Sequence, residues 1–247
     1  MGRLVALAIC RVQISSPCGV MVSVVQEEMP LSGIPISGAL EHQYISLAGM
    51  IGAGKTTLAE ALAKHLGVPV YYEPVKENKY LVDFYNDVKR YSFPLQVYLL
   101  NARFQQQQSI VWSGKGGVQD RTIYEDAVFA KMLMRLGLME ERDYETYNSL
   151  FSNMSSFMRR PNMIVFLDVT PEVSYQRIQQ RKRECEAGVT LEYLAHLHAA
   201  YKDFITDISK AIPVVRVEWN SFTAPEEVAR KIGEAYASVN SIVDVKG

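Results

Sequence analysis

The sequence is short of several things. It has 3 cysteines in 247 residues, Cys10, Cys18 and Cys185, and no C-x-x-C pair. That excludes a disulfide framework and a cysteine-built zinc site, and it fits a reducing, cytoplasmic compartment. No apolar run reaches the length of a membrane-spanning helix. Neither sign of charge is in excess: 26 Lys and Arg stand against 27 Asp and Glu, for a net charge of −1. Such a balance points to neither a nucleic acid nor an anionic membrane as partner. There is no internal repeat. What remains is 48% hydrophobic and 21% charged, enough to bury an ordinary globular core, in a length that suits one large α/β domain or two small ones.

One stretch organises the rest. Gly49-Met50-Ile51-Gly52-Ala53-Gly54-Lys55-Thr56 is a complete G-x-x-x-x-G-K-T phosphate-binding loop. The apolar run Tyr44–Ala48 before it predicts a strand, and the helix formers from Thr57 to Lys64 predict a helix behind it. That strand–loop–helix setting gives the motif its meaning. The glycines let backbone N–H groups converge on phosphate oxygens, and the helix N-terminus adds partial positive charge. Lys55 supplies a mobile ammonium for the outer phosphates, and Thr56 a hydroxyl for Mg²⁺.

Residues 1–40 precede the first strand and carry no acid before Glu27. They read either as an organelle-import segment, which leaves a mitochondrial destination open, or as a β-rich arm packed on the body or on another subunit. We favour the arm, because so apolar a segment is poorly tolerated as a free tail. The expected division is therefore an extension over 1–40, a catalytic domain over 41–238 and a tail over 239–247.

Val68–Tyr72 predicts a second strand that ends at Glu73-Pro74. Pro74 keeps Glu73 extended, so its carboxylate stands at a strand exit, where parallel sheets bind ligands; a solvated surface Glu is the alternative. A helix is expected over 78–89, then a break at Ser92-Phe93-Pro94 and a long helix to about Trp112. On it Gln96, Leu99 and Arg103 share one face. They suit a planar hydrogen-bonding ligand or a solvated stripe.

Asp120-Arg121-Thr122 stands at another strand exit, where an acid can hold Mg²⁺ through water and an Arg can grip phosphate, unless the Asp merely caps a helix. A Met-rich helix is expected from Asp126. Met163–Asp168 reads as a buried parallel strand, and Thr170-Pro171 opens the following helix. Asp168 resembles the acid that ends a Walker B strand, but it stands equally well to support that turn and is not assigned the metal. The next helix ends in Arg177, Arg181, Lys182 and Arg183, either favourable charges at a helix C-terminus or a mobile lid that closes on phosphates. A helix over 190–211, a strand over 214–219 and a helix near 225–237 complete the chain.

Residues 43–237 resemble the deoxyribonucleoside kinases, most closely the bacterial-type deoxyadenosine/deoxyguanosine kinases. The matching pieces are Gly49–Thr57, Glu73-Pro74-Val75, Tyr85 with Gln96 and Arg103, Asp120-Arg121-Thr122 with Asp126, and the Arg-rich lid. The resemblance implies a P-loop kinase fold, a five-stranded parallel sheet flanked by helices on both sides. It implies ATP and Mg²⁺ as cofactors and a deoxyribonucleoside as substrate. It implies a homodimer built on long helices, which the N-terminal extension could enlarge to a dimer of dimers.

The resemblance also implies roles. Glu73 matches the base for the 5′-hydroxyl, and Arg121 the partner that orients it. Gly49, Met50, Ile51, Gly52, Ala53, Gly54, Lys55, Thr56 and Thr57, with Arg177, Arg181 and Arg183 of the lid, match ATP-binding positions. Thr56 and Asp120 match the Mg²⁺ positions. Tyr85 and Glu186 match the pair on the 3′-hydroxyl, and Gln96 the amide on the base edge. Phe129 matches an aromatic that stacks on the base, one residue closer to Asp126 than in the deoxycytidine kinase pattern. An Arg103–Asp126 pair beside the base suits an exocyclic amino group, and a Gln amide meets adenine bidentately, so deoxyadenosine is the expected substrate. A thymidylate kinase-like monophosphate kinase is the nearest rival, but such enzymes carry an Arg before the Glu-Pro where this chain has Tyr72. A nucleotide-binding protein without turnover is the second rival.

Overall fold

A computed structural model of the chain describes residues 43–73, 78–183, 186–221 and 223–239, with side chains as far as Ala235. The proposed N-terminal extension and the C-terminal tail beyond Val239 lie outside the described residues. Five strands form one parallel sheet in the order β2-β3-β1-β4-β5. They are β1 (Tyr44–Gly49), β2 (Val70–Tyr71), β3 (Gly117–Asp120), β4 (Met163–Asp168) and β5 (Val214–Glu218). The helices are α1 (Lys55–Leu66), α2 (Leu81–Asn86), α3 (Val88–Ser113), α4 (Ile123–Arg135), α5 (Glu141–Ser156), α6 (Pro171–Arg181), α7 (Leu191–Ile208) and α8 (Pro225–Val239).

Strand alternation splits the core in two. Ile45 and Leu47 of β1 point to one face, where they pack with Leu58 and Leu62 of α1 and Ile232 of α8. Ala48 of β1 and Ile164 and Phe166 of β4 point to the other, against Val128, Tyr147, Leu194 and Leu197 of α4, α5 and α7. Fully burying a side chain of this size is worth roughly 1.5–3 kcal/mol, so the two faces together hold the sheet. No helix among the described residues is long and apolar enough to cross a membrane.

The strand order reverses at β1, which has β3 on one side and β4 on the other. The phosphate loop leaves β1 at this switch point, where the crevice of a parallel sheet opens. Gly54, at φ +92°, caps α1 in a left-handed conformation, and a Cβ there would lie 3.0 Å from Trp219 Nε1. The loop therefore needs glycine both for its turn and for its neighbour.

The break expected at Ser92-Phe93-Pro94 is not there. Pro94 lies inside α3, and the helices divide at Asp87 instead. Asp87 caps α3 by accepting from Arg90 N at 3.2 Å. A side-chain cap outweighs the local signal of a proline that sits close to the helix start, where few hydrogen bonds precede it.

Candidate active site

The C-terminal ends of β1, β2 and β3 open into a cleft of about 1380 Å³. From the expected site residues it gathers Ile51, Gly52, Gly54, Lys55, Thr56, Thr57, Glu73, Tyr85, Gln96, Arg103, Asp120, Arg121, Phe129, Arg181, Arg183 and Glu186. Five others sit behind it. Gly49 ends β1, and Met50 and Ala53 are buried in the core beneath the loop. Asp126 is fully buried, paired to Arg103. Arg177 of α6 donates to the carbonyls of Ala53 at 3.2 Å and Trp219 at 2.7 Å. It braces the phosphate loop against the segment after β5 and is absent from the cleft lining.

Lys55 is buried, and its ammonium donates to the carbonyls of Gly49 at 2.9 Å and Met50 at 2.8 Å. Burial, with the nearby Arg121 charge, lowers its pKa to about 8. Thr56 Oγ1 donates to Asp120 Oδ2 at 2.6 Å, while Asp120 Oδ1 is buried without a hydrogen-bond partner among the described residues. A hydroxyl and a carboxylate with a spare oxygen, beside a phosphate loop, fit a divalent cation that completes its shell with phosphate oxygens and water.

Across from Lys55 stands Glu73, just past β2. Its Oε1 pairs with Arg103 and, at 3.1 Å, with Arg121 Nε. Burial alone would raise its pKa, but Arg121, Arg103 and Lys55 hold it down to about 2. The carboxylate is therefore ionised at any working pH. Its backbone is steadied from the sheet: Tyr44 donates to Gln119, Gln119 Nε2 to Gln106 at 2.7 Å, and Gln106 Nε2 to the Tyr72 carbonyl at 2.5 Å.

Arg121 is the hub. It holds φ +73°, a left-handed conformation unusual for a residue with a side chain. Its guanidinium reaches Glu73, Glu125 at 3.0 Å, Tyr201 Oη at 2.8 Å and the Gly49 carbonyl at 3.2 Å. It also lies 4.9 Å from the centre of the Phe129 ring, which is 9% exposed. Burial works against its charge, yet Glu125, Tyr201, Glu73 and Asp120 hold its pKa above the usual guanidinium range.

Gln96 is 2% exposed, and its Oε1 has no hydrogen-bond partner among the described residues. Such a buried amide oxygen at a cleft is an acceptor awaiting a donor. Tyr85 packs on Phe84, and a Cβ at Gly188 would meet its own Cβ at 3.0 Å. The backbone at Gly188 thus packs directly against Tyr85. Arg181 holds Glu186 with two hydrogen bonds, at 2.8 and 2.5 Å, and Arg183 lies 3.7 Å from the same carboxylate.

Sequence reasoning missed Glu125, Tyr201 and Tyr193, the last of which also lines the cleft. Glu125 follows Arg121 at i+4, a spacing that could have flagged it. Tyr201 is 80 residues from Arg121 and left no local signal. Asp168 is engaged elsewhere: Arg216 Nε at 2.8 Å and His198 at 3.3 Å tie it to β5 and α7. Burial notwithstanding, these two partners keep its pKa low.

Fold and cleft define a P-loop phosphotransferase with an acceptor pocket beside the phosphate loop. Residues 45–243 match the family described as deoxynucleoside kinase, and the chain belongs to that family. It is 57% identical over 201 residues to a deoxyadenosine kinase of Dictyostelium discoideum, covering 81% of this chain and 82% of that one. It is 39% identical over 204 residues to a deoxyadenosine/deoxycytidine kinase of Bacillus subtilis (strain 168), covering 81% of this chain and 94% of that one. Among solved structures, deoxyadenosine kinase from M. mycoides with bound dATP superposes with a TM-score of 0.70 at 28% identity, over 81% of this chain and 100% of that one. The same kinase with bound dCTP gives a TM-score of 0.70 over 78% of this chain.

The Glu73 ion pairs carry a pH signature. A carboxyl lowered from 4.5 to about 2 on folding adds stability that is fully present above the unfolded value and is lost as pH falls through the folded one. The Tm of the native protein should therefore exceed that of Glu73→Gln most above about pH 5. The gap should narrow steadily towards pH 2, and a gap independent of pH would remove the ion pairs.

Proposed function

We propose that the chain transfers the γ-phosphoryl group of ATP to the 5′-hydroxyl of a deoxyribonucleoside, with deoxyadenosine preferred. One observation carries this reading: an ionised carboxylate, a phosphate loop and a buried Gln96 amide oxygen without a partner among the described residues share one cleft. The loop amides, the α1 N-terminus and Lys55 bind the triphosphate, and the carbonyls that Lys55 now holds are exchanged for phosphate oxygens. Thr56 and Asp120 would hold Mg²⁺, which supplies positive charge to the phosphate oxygens.

Glu73 accepts the hydrogen bond of the 5′-hydroxyl and takes its proton as the oxygen–phosphorus bond forms. A carboxylate this acidic is a weak base, so its first contribution is orientation. That suits a loose transition state in which the hydroxyl proton moves late. Arg121 fixes the direction of Glu73 and faces the charge that spreads over the transferring group. Tyr85 and Glu186 receive the 3′-hydroxyl. When Glu186 turns to the sugar it releases Arg181, and Arg181 and Arg183 become free for the phosphates. Arg177 keeps the loop in shape.

The Gln96 oxygen accepts from the N6 amino group of adenine, and its NH₂ donates to N7. Arg103, held from behind by the buried Asp126, puts a charged wall beside it, which disfavours the thymine methyl. The names of the relatives from Dictyostelium and Bacillus support the same preference. Tyr72, half exposed and bonded to Glu60 at 3.2 Å, offers no cation to an acceptor phosphate. That supports a nucleoside over a monophosphate.

Two exposed aromatics support the dimer expected from the family. Trp112 at the end of α3 is 77% exposed and Phe157 at the end of α5 is 85% exposed, and α3 packs on α5. Solvent-facing aromatics of this size favour a covering partner, here a second copy of the chain.

With ATP and the four natural deoxynucleosides, kcat/KM should be highest for deoxyadenosine and lowest for thymidine, and deoxyadenosine monophosphate should not serve as acceptor; a thymidine optimum would overturn the pocket reading. Glu73→Gln should bind deoxyadenosine with near-native affinity yet lose kcat by roughly 10²–10⁴-fold. Near-normal turnover would take Glu73 out of the reaction. Light scattering should give a dimer that the double substitution Trp112→Glu and Phe157→Glu converts to monomer, and a native monomer would refute the assembly.

A further inference from the structure

The buried carboxylate of Glu125 does not line the cleft, yet the root of the phosphate loop and Arg121 both bind it. It is fully buried on the first turn of α4. Its Oε1 accepts from the Gly49 amide at 2.9 Å, from Arg121 Nη1 at 3.0 Å and, in a very short bond, from Tyr201 Oη. Tyr201 in turn receives Arg121 Nη1 at 2.8 Å and stands 3.0 Å from the Gly49 carbonyl, which Lys55 and Arg121 also approach. Glu125 thus binds the residue that opens the phosphate loop and the arginine that reaches Glu73.

We propose that Glu125, seconded by Tyr201, is the positioning residue of the transfer. It locks the left-handed Arg121 and the start of the phosphate loop into one unit, so that Glu73 and the triphosphate site keep a fixed distance. This rests on Arg121 acting in the transfer as set out above.

The physical case has three parts. First, Arg121 holds a backbone conformation that costs free energy in a residue with a Cβ, and such conformations persist only where surroundings over-determine them. The bonds from Glu125, Tyr201 and Gly49 do so. Second, a guanidinium has a planar fork of donors, and the fork here is divided. The Nε edge lies 3.1 Å from Glu73 Oε1 as an ion pair, with no hydrogen bond among the described residues, while Nη1 and Nη2 donate to Glu125, Tyr201 and Gly49. Fixing the second edge fixes the direction of the first. Third, the Glu125 carboxylate shares the Arg121 charge. Without it, more of that charge falls on Glu73, which becomes a poorer acceptor for the hydroxyl proton. Burial and Glu125 keep the Tyr201 phenol protonated far above its usual range, so its hydrogen stays available as a donor.

A brick of the fold would look similar in a static structure, so the test must separate position from stability. Glu125→Gln keeps the shape and an acceptor oxygen but removes the charge. With deoxyadenosine and ATP it should lower kcat by roughly 10–100-fold, the scale of a small misplacement of reacting groups. The KM for deoxyadenosine should stay within about threefold, because ground-state contacts are untouched. Since Glu125 acts through Arg121, the double variant with Arg121→Lys should be no slower than Arg121→Lys alone.

Multiplying losses, or a folded Glu125→Gln with kcat within about threefold of native, would overturn the positioning role. A native-like Arg121→Lys would instead overturn the active-site reading, and this inference with it. If Glu125→Gln does not fold, Tyr201→Phe decides by the same cycle. Its expected loss is roughly 3–10-fold, the worth of one neutral hydrogen bond, and it should vanish in the Arg121→Lys background. Persistence of that loss would sink the proposal.

Discussion

Arg121 is held between two carboxylates, Glu73 in the cleft and Glu125 beneath it, and the site depends on that arrangement. Burying a lone guanidinium is prohibitive, and burying a lone carboxylate is little better. The chain resolves this by alternation. Asp126, Arg103, Glu73, Arg121 and Glu125 follow one another as a line of opposite charges. Each neutralises its neighbours, and the line runs from Asp126 behind the cleft, through Glu73, to Glu125 on the Gly49 amide at the root of the phosphate loop. Cleft and phosphate loop are therefore joined by electrostatics.

The lid shows the same economy. Arg181, itself exposed, satisfies the buried Glu186 carboxylate with two hydrogen bonds. The pair is part-buried and bidentate, so separating it costs free energy.

Much of this was legible from residues alone, where the signal is local. The phosphate loop declares itself by glycine spacing between a strand and a helix. Pro74 places Glu73 at a strand exit, and the apolar run over 163–168 could only be a buried strand. What escaped was decided across distance. Pro94 was read as a break because the Asp87 cap, seven residues earlier, weighs more than the proline. Arg177 sits in an Arg-rich run that reads as a lid, yet the carbonyls it binds belong to residues 53 and 219. Tyr201 left no local signal, since its partners Gly49, Arg121 and Glu125 all lie more than 70 residues from it in the chain. Periodicity reports which face is buried, and only the folded chain says what that face meets.

Gly52 has one further consequence. A single methyl at this position would come within 2.7 Å of the Ser174 carbonyl and 2.8 Å of Ile178, and the Ser174 hydroxyl already donates to the Ile51 carbonyl at 2.6 Å. The apex of the loop and the middle of α6 therefore touch with nothing between them and behave mechanically as one rigid block. The helix ends at the left-handed Lys182, so that block ends where the Arg-rich run begins to leave the helix axis.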